Sequence, residues 1–521
     1  MTPLKSPRPP NPPNPPQSRQ SPNPPQSPGR AAAPTAWSPR LWGLLTVLAG
    51  NMLIDALEVS ALVVAMPSIG ADLDLPLTVL QWTMSGFAIG FGGLLLFGGR
   101  VVTLLGRRRV YLAALVAFAA ASVVAGLTSD PALLTATRIV KGFCAALTAP
   151  TGLAIISTAF KEGPDRTRAM SVYTLFGASG FTAGLLVSGL LTDVSWRWAL
   201  AFPAPVVLVL FVLGLRLVPA DEPPSYTPRR YGAVSALALT GSLSALVYGI
   251  VSVSQYGWSD ARSIGSLVLC GALAGALVKA ERSSPDPLLR AGLLKNGPLI
   301  RSALGAAALN GSYLGLLIIL TFQLQELWGW SPLLTAVALL PASAPLAVTA
   351  LMSGRMVNRF GAPRLIALGA LTPLAGYVLY LWQRDPVSYA ADVLPVLLLV
   401  GAGFVLAFAA LNMQAVSGVP AAERGPTGAV YQSAVQLGAV LMIALVAALL
   451  FAHRAPPEAS PAAVLEGYRP AAALVAGVGL LGFLAGLAGV LPRAGAPRRP
   501  SAEPRSPEPC SPEPETANRK E

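Results

Sequence analysis

Residues 99–109 read GRVVTLLGRRR, and residues 354–364 read GRMVNRFGAPR. Both satisfy the pattern G-R-x-V-x-x-x-G-x-x-R, at an offset of 255 residues. Each copy follows an apolar stretch, and eight such stretches separate them. An internal repeat at long period marks a chain built from two similar halves.

The stretches around the repeat decide the fold class. Fourteen apolar runs lie at about 41–67, 77–99, 109–128, 132–157, 168–190, 199–218, 231–253, 262–280, 300–323, 333–354, 364–382, 388–411, 427–451 and 470–491. Each is about 20 residues long, the length a helix rising 1.5 Å per residue needs to cross roughly 30 Å of hydrocarbon. Unbroken runs predict helices, because a barrel would show apolar–polar alternation in segments of about ten residues. The expected fold is an all-α membrane protein of 14 transmembrane helices, with two six-helix bundles and two linker helices between them. The expected division is 1–40 tail, 41–218 first bundle, 219–298 linker helices, 299–491 second bundle and 492–521 tail.

Composition agrees. Of 521 residues 53% are hydrophobic and only 12% charged, about half the charge of an ordinary soluble domain. This excludes a soluble enzyme or a nucleic-acid binder, despite a net charge of +13. Mean hydropathy is +0.59. Sorted by loop, with the chain alternating sides, thirty of the 37 Lys and Arg fall on one face and five on the other. By the positive-inside rule the richer face is cytoplasmic, which places both termini there. Arg138 and Lys141 fall inside a span and belong to neither face. The expected location is the cell membrane, a bacterial inner or plasma membrane.

Residues 1–40 and 492–521 are rich in Pro and Ser, a composition that predicts solvated disorder with polyproline character. The first tail lacks the apolar core of a signal peptide, and its PxxP content also suits an SH3-like partner. Cys144 and Cys270 lie in spans and Cys510 in a tail, so no disulfide or metal cluster is expected. The single histidine, His453, lies at a helix end, which argues against histidine catalysis. No Walker A sequence occurs, so ATP is not the direct energy source. No cofactor is expected.

The chain resembles the major facilitator superfamily, and within it the fourteen-span drug:proton antiporters, from about Leu41 to Leu491. The loop Gly99, Arg100, Thr103, Gly106, Arg107, Arg108 and Arg109 is similar to the cytoplasmic signature G-x-L-x-D-R-x-G-R-R/K. Gln81-Trp82 resembles the family's Q-W pair, and Arg138 with Lys141-Gly142 its R-x-x-Q-G element. Glu58, nine residues before Pro67 in Met66-Pro67, occupies the place of the first-span acid before A-L-P. Gly184, Leu185, Ser188 and Gly189, ahead of Ser195-Trp-Arg-Trp198, resemble the antiporter element G-P-x-x-G-G followed by S-W-R-W. Gln432 and Gln436-Leu-Gly438 are similar to a Q-L-G stretch. Three positions depart: Thr103 stands for the loop Asp, Leu185 for Pro and Lys141 for Gln. The resemblance implies that the loop Asp latches the outward-facing state through basic groups, a charge Thr103 lacks. Leu185 keeps its N–H and is expected to kink its helix less than Pro would.

Ionisable side chains inside spans cost about 2.5–3.5 kcal/mol each to insert and are functional candidates by default. Asp55 and Glu58 are three apart on one span, as are Arg138 and Lys141 on another, so each pair shares a helix face. Counting at 1.5 Å per residue, Asp55 lies roughly 21 Å from the cytoplasmic side and Arg138 roughly 20 Å, so the pairs meet near mid-membrane. One reading makes Asp55 and Glu58 carriers of an exchangeable proton, poised by Arg138, with a cationic or apolar substrate competing for the same acids. The other makes Glu58–Arg138 or Asp55–Lys141 a permanent tether between two helices. Gln81, Asn310, Tyr313, Gln323, Asn412, Gln414, Gln432 and Gln436 are candidates to line a cavity between the halves, or to form interhelical hydrogen bonds. Glu326, beside Trp328 and Trp330, reads as an interface anchor.

The expected function is secondary transport: proton-coupled export of small amphipathic drugs or natural products by alternating access, with the lipid bilayer, protons and a small-molecule substrate as partners, in a monomer. The alternatives are an uncoupled facilitator or importer of the same fold, and a non-transporting sensor or scaffold acting through the proline-rich tails.

Overall fold

The computed structural model describes residues 37–220, 232–284, 287, 291–383, 387–420, 423–456 and 458–487. The stretches expected as disordered tails therefore lie outside the described residues, except at the start of the chain. There Trp37 is buried and a helix begins at Pro39, so the first membrane helix starts slightly earlier than expected.

Among the described residues, fourteen helices are long and apolar enough to cross a membrane. They are α1 (Pro39–Leu73), α2 (Leu77–Leu105), α3 (Arg107–Leu127), α4 (Pro131–Ala159), α5 (Pro164–Val194), α6 (Trp196–Leu217) and α7 (Ala233–Val253). They continue with α8 (Ala261–Ser283), α9 (Gly297–Leu327), α10 (Pro332–Thr349), α11 (Ala362–Leu381), α12 (Tyr389–Ala415), α13 (Arg424–Ala452) and α14 (Pro461–Leu487). Their number and order match the apolar runs. Several begin where a side chain caps the first turn and proline takes an early position that needs no N–H. Asp130 accepts from Leu133 N at 2.7 Å ahead of Pro131, and Ser331 from Leu334 N at 3.2 Å ahead of Pro332.

The two copies of the repeat adopt related turns. Gly106 ends α2 and starts α3 at φ 93°, and Gly361 ends a short helix, Ser353–Phe360, and starts α11 at φ 81°. Both conformations are open essentially to glycine alone, which accounts for the shared Gly. The copies differ upstream. α2 runs unbroken into its loop, whereas α10 contains Pro341 and Pro345 and stops at Thr349 before the short helix forms. Each proline removes one ladder N–H. Pro470, expected to open the last span, instead lies inside α14, which starts at Pro461.

Helices α1–α6 pack on one another, and so do α9–α14. α7 pairs with α8 and leans on α2 and α13, while α8 packs mainly on α7. The halves meet where α5 packs on α10 and α2 on α13. Glycine permits several of these approaches. A Cβ on Gly184 would lie 2.6 Å from Leu57 O, between α5 and α1, and one on Gly189 would lie 3.0 Å from Pro332 O, between α5 and α10. α5 is continuous through Leu185, in line with the N–H that this residue retains.

Candidate functional site: a buried charge cluster in the first bundle

Two polar stripes face each other on antiparallel helices. Asn51, Asp55 and Glu58 share a face of α1, at spacings of four and three; Arg138, Lys141 and Thr148 share a face of α4. Because the helices run in opposite directions, Glu58 meets Arg138 and Lys141, and Asp55 meets Thr148.

The Glu58 carboxylate takes both cations: Oε2 pairs with Arg138 Nη1, and Oε1 with Lys141 Nζ. Arg138 also donates from Nη2 to the Glu58 carbonyl at 2.9 Å and from Nε to the Thr83 carbonyl of α2 at 3.2 Å. Its guanidinium carbon lies 5.0 Å from the Phe87 ring centroid, and Lys141 Nζ lies 5.1 Å from that of Phe118. Among the described residues, Glu58 is the one acceptor that Lys141 Nζ meets.

Among the described residues, no cation pairs with Asp55. Its Oδ2 accepts from Asn51 Nδ2 at 2.9 Å and from Thr148 Oγ1 at 3.0 Å, and its buried Oδ1 has no partner among them. Asp55 is 5% exposed, Glu58 and Arg138 1% and Lys141 0%. Of the two tethers considered from sequence, Glu58–Arg138 is present, and Lys141 joins that pair instead of Asp55. Both acids are enclosed within the first bundle. Asn51 and Thr148 went unremarked in the sequence, although their spacing from Asp55 and Lys141 extends the same two stripes.

The other expected residues do not form one site. The segment Gly99–Arg109, expected as a loop, is helical on both sides of Gly106, as the end of α2 and the start of α3; Arg100 donates to Pro287 O at 2.7 Å and Arg108 to Leu215 O at 2.6 Å. Thr103 is exposed and donates back to Gly99 O, while Arg107 and Arg109 are also exposed. The antiporter-like element forms a seam: Gly184 touches α1, Leu185 is buried, Ser188 donates to Ala61 O and Gly189 faces Ala336 of α10.

The expected cavity residues are dispersed. Gln81 is buried and accepts from Ser85 on its own helix; Asn310 donates to Val435 O at 3.2 Å; Gln323 accepts from Tyr380 at 2.9 Å. Gln436 is buried against Gly92 and Gln432 is half-buried. Asn412 is exposed near the end of α12, too far along its helix to reach a midplane site. Tyr313 lies in an aromatic cluster spanning the halves. Its ring centroid is 5.6 Å from that of Phe181 on α5 and 4.8 Å from that of Phe404 on α12, which stacks at 4.8 Å on Phe408. Glu326 lies near the end of α9, in a π-helical turn at Gln323–Leu327 followed by the Trp328–Trp330 pair.

Comparison with known proteins bears on the chain as a whole. A family profile described as Major Facilitator Superfamily matches residues 48–443. A puromycin resistance protein of Streptomyces alboniger is 35% identical over 461 residues, covering 85% of this chain and 90% of that protein. A tetracenomycin C resistance and export protein of Streptomyces glaucescens is 27% identical, over 79% of this chain and 76% of that protein. Among solved structures, a nucleoside transporter is similar in fold at a TM-score of 0.60 and 14% identity, covering 87% of this chain and 100% of the other.

Proposed function

The chain belongs to the major facilitator superfamily, and on that premise we propose that it exports small, antibiotic-like molecules in exchange for protons. The observation that carries the reading is the division between its two first-span acids. Glu58 is neutralised by two cations, whereas Asp55 is buried with two neutral donors and, among the described residues, one oxygen without a partner. A proton on Glu58 would leave two buried cations without their anion, whereas a proton on Asp55 takes the partner from no cation. Asp55 is therefore the proton carrier and Glu58 the fixed charge that holds Arg138 and Lys141.

The enclosure of Asp55 makes coupling conformational. Protonation changes the net charge of the four-residue cluster between α1 and α4. Rocking of 41–218 against 299–491, with 219–298 as linker, carries that change to the space between the halves. Thirty basic residues against five support an orientation with both termini in the cytoplasm.

Expression in a pump-deficient bacterium, challenged with puromycin, lincomycin and unrelated compounds, tests export. Substrate uptake into inverted vesicles under a proton gradient tests coupling. Accumulation that collapses with a protonophore supports it; uptake that only equilibrates, indifferent to the protonophore, assigns the chain to uncoupled facilitation.

A further inference from the structure

Two adjacent glycines in the middle of α2, Gly92 and Gly93, face different helices. A Cβ on Gly92 would lie 2.6 Å from Gln436 Cβ of α13, and one on Gly93 would lie 2.7 Å from Thr240 Oγ1 of α7. Ser433 of α13 fastens the first approach by donating to Gly92 O at 2.8 Å. Small residues let backbones come close in a membrane, where packing and hydrogen bonds hold helices together. Three parts of the chain therefore meet at one level: α2 of the first bundle, α7 of the linker and α13 of the second bundle.

The contact extends along α7. Ala88 and Ile89 of α2, Val247 and Val251 of α7, and Val440 and Ala444 of α13 form one buried apolar cluster. Towards the start of α2, the Trp82 and Tyr248 ring centroids lie 6.4 Å apart. Thr78 there accepts from Gln255 Nε2, in the last turn of the α7 helix. α7 is thus fastened to both sides of the α2–α13 seam. Were that seam to part, α7 would follow one side and lose its packing on the other. The α5–α10 seam is built from the bundles' own residues, with Gly189 against Ala336 and Asp193 accepting from Leu333 N at 3.2 Å. Opening at α5–α10 therefore breaks fewer contacts than opening at α2–α13, and hinge motion follows the contacts that persist.

We propose that α7 is a strap that keeps α2 on α13, so that this seam is the hinge of the transport cycle and the α5–α10 seam is the side that opens. The assignment rests on the rocking of the halves proposed above, but not on proton coupling.

The test compares two disulfide locks in the chain with Cys144, Cys270 and Cys510 replaced by serine. G92C with Q436C spans the hinge, and G189C with A336C spans the other seam. Export is measured for each protein reduced and oxidised, so that the effect of the substitutions themselves cancels. Oxidation should leave export within about twofold in the hinge pair and lower it by about tenfold or more in the other. G92C with S433C repeats the hinge lock should the reduced Q436C protein be inactive. Loss of export in both locks would overturn the hinge and leave rocking standing. Export that survives both would overturn rocking at these seams, and the hinge with it. A second measurement needs no substrate. V247A with V251A thins the strap, and the thiol of the Q436C variant, enclosed at the hinge, should then react with N-ethylmaleimide about fivefold faster. The thiol of the A336C variant, in the other seam, should react at an unchanged rate. V247A alone repeats the measurement should the double variant unfold. Reaction at the hinge that is no faster in the thinned protein would show that α7 does not hold the seam.

Discussion

Arg138 holds Glu58 at two points, through Nη1 to its carboxylate and through Nη2 to its main-chain carbonyl at 2.9 Å. The side chain of α4 thus fixes both the charge and the backbone of α1, and the Lys141 ion pair adds a second cation to the same carboxylate. Removing the Glu58 charge leaves two enclosed cations without an anion, a defect that costs about 3–5 kcal/mol for a buried pair. E58Q should therefore lower thermal stability in detergent severely. D55N keeps the acceptor for Thr148 and removes no cation's partner, so it should fold like the parent and lose proton-driven uptake. Equal stability losses in the two variants would refute this division of roles.

Lys141 gives a pH prediction whose sign follows from charge counting. With Asp55 ionised, the cluster of two acids and two cations is neutral; with Asp55 protonated it carries one positive charge. K141Q shifts the balance, so that the neutral cluster is the one with Asp55 protonated. Proton binding then tightens, and the pH profile of transport should move to more alkaline values while Glu58 keeps Arg138. A profile that moves to acid, or not at all, contradicts the assignment of the proton to Asp55.

Thr103 should matter little. Its hydroxyl returns to Gly99 O at 2.9 Å on its own helix, and the side chain is exposed. T103A should leave stability within about 0.5 kcal/mol of the parent, and transport unchanged. A marked loss of transport would show that the loop keeps a latch that does not need the missing aspartate.

Gly184 should tolerate nothing larger. A methyl group there runs into Ser60 Oγ and lies 2.6 Å from Leu57 O, where Ser60 also donates to Phe181 O at 2.7 Å. Overpacking of a tight contact costs about 1–3 kcal/mol, so G184A should lower the unfolding temperature by separating α5 from α1. Unchanged thermal unfolding would mean that the seam yields without cost.

Much of this was legible in the sequence, because membrane helices announce themselves by length and apolarity and do not depend on distant packing. The fourteen spans, the repeated glycine turns and the isolation of Arg138 and Lys141 in a span all follow from local pattern. The pairing did not. Spacing put Asp55 and Glu58 on one face, yet only the antiparallel register of α1 and α4 shows that both cations reach Glu58 while Asp55 falls opposite Thr148. The dispersed amides were open to two readings for a similar reason. Gln81 and Gln323 are satisfied, in part, by Ser85 and Tyr380, and nothing in a single span's composition tells such a bond from a cavity wall. Pro470 misled as well, since an early apolar turn at Pro461 starts α14 before it.

The seam between the halves offers the most direct test of rocking. Gly189 of α5 faces Ala336 of α10, and Asp193 one turn later accepts from Leu333 N at 3.2 Å, capping the start of α10 across the boundary. These contacts join different bundles, so alternating access must break them in each cycle, whereas contacts such as Gly184 with Leu57 stay within one bundle. A cysteine pair, G189C with A336C, brings two Cβ atoms close enough for a disulfide after small adjustment. With Cys144, Cys270 and Cys510 replaced by serine, oxidation should lower transport by about tenfold or more and leave folding intact, and reductant should restore it, as expected for a lock on a domain motion. Transport that persists in the fully cross-linked protein would mean that this face of the seam stays closed throughout the cycle and that the halves move about another contact.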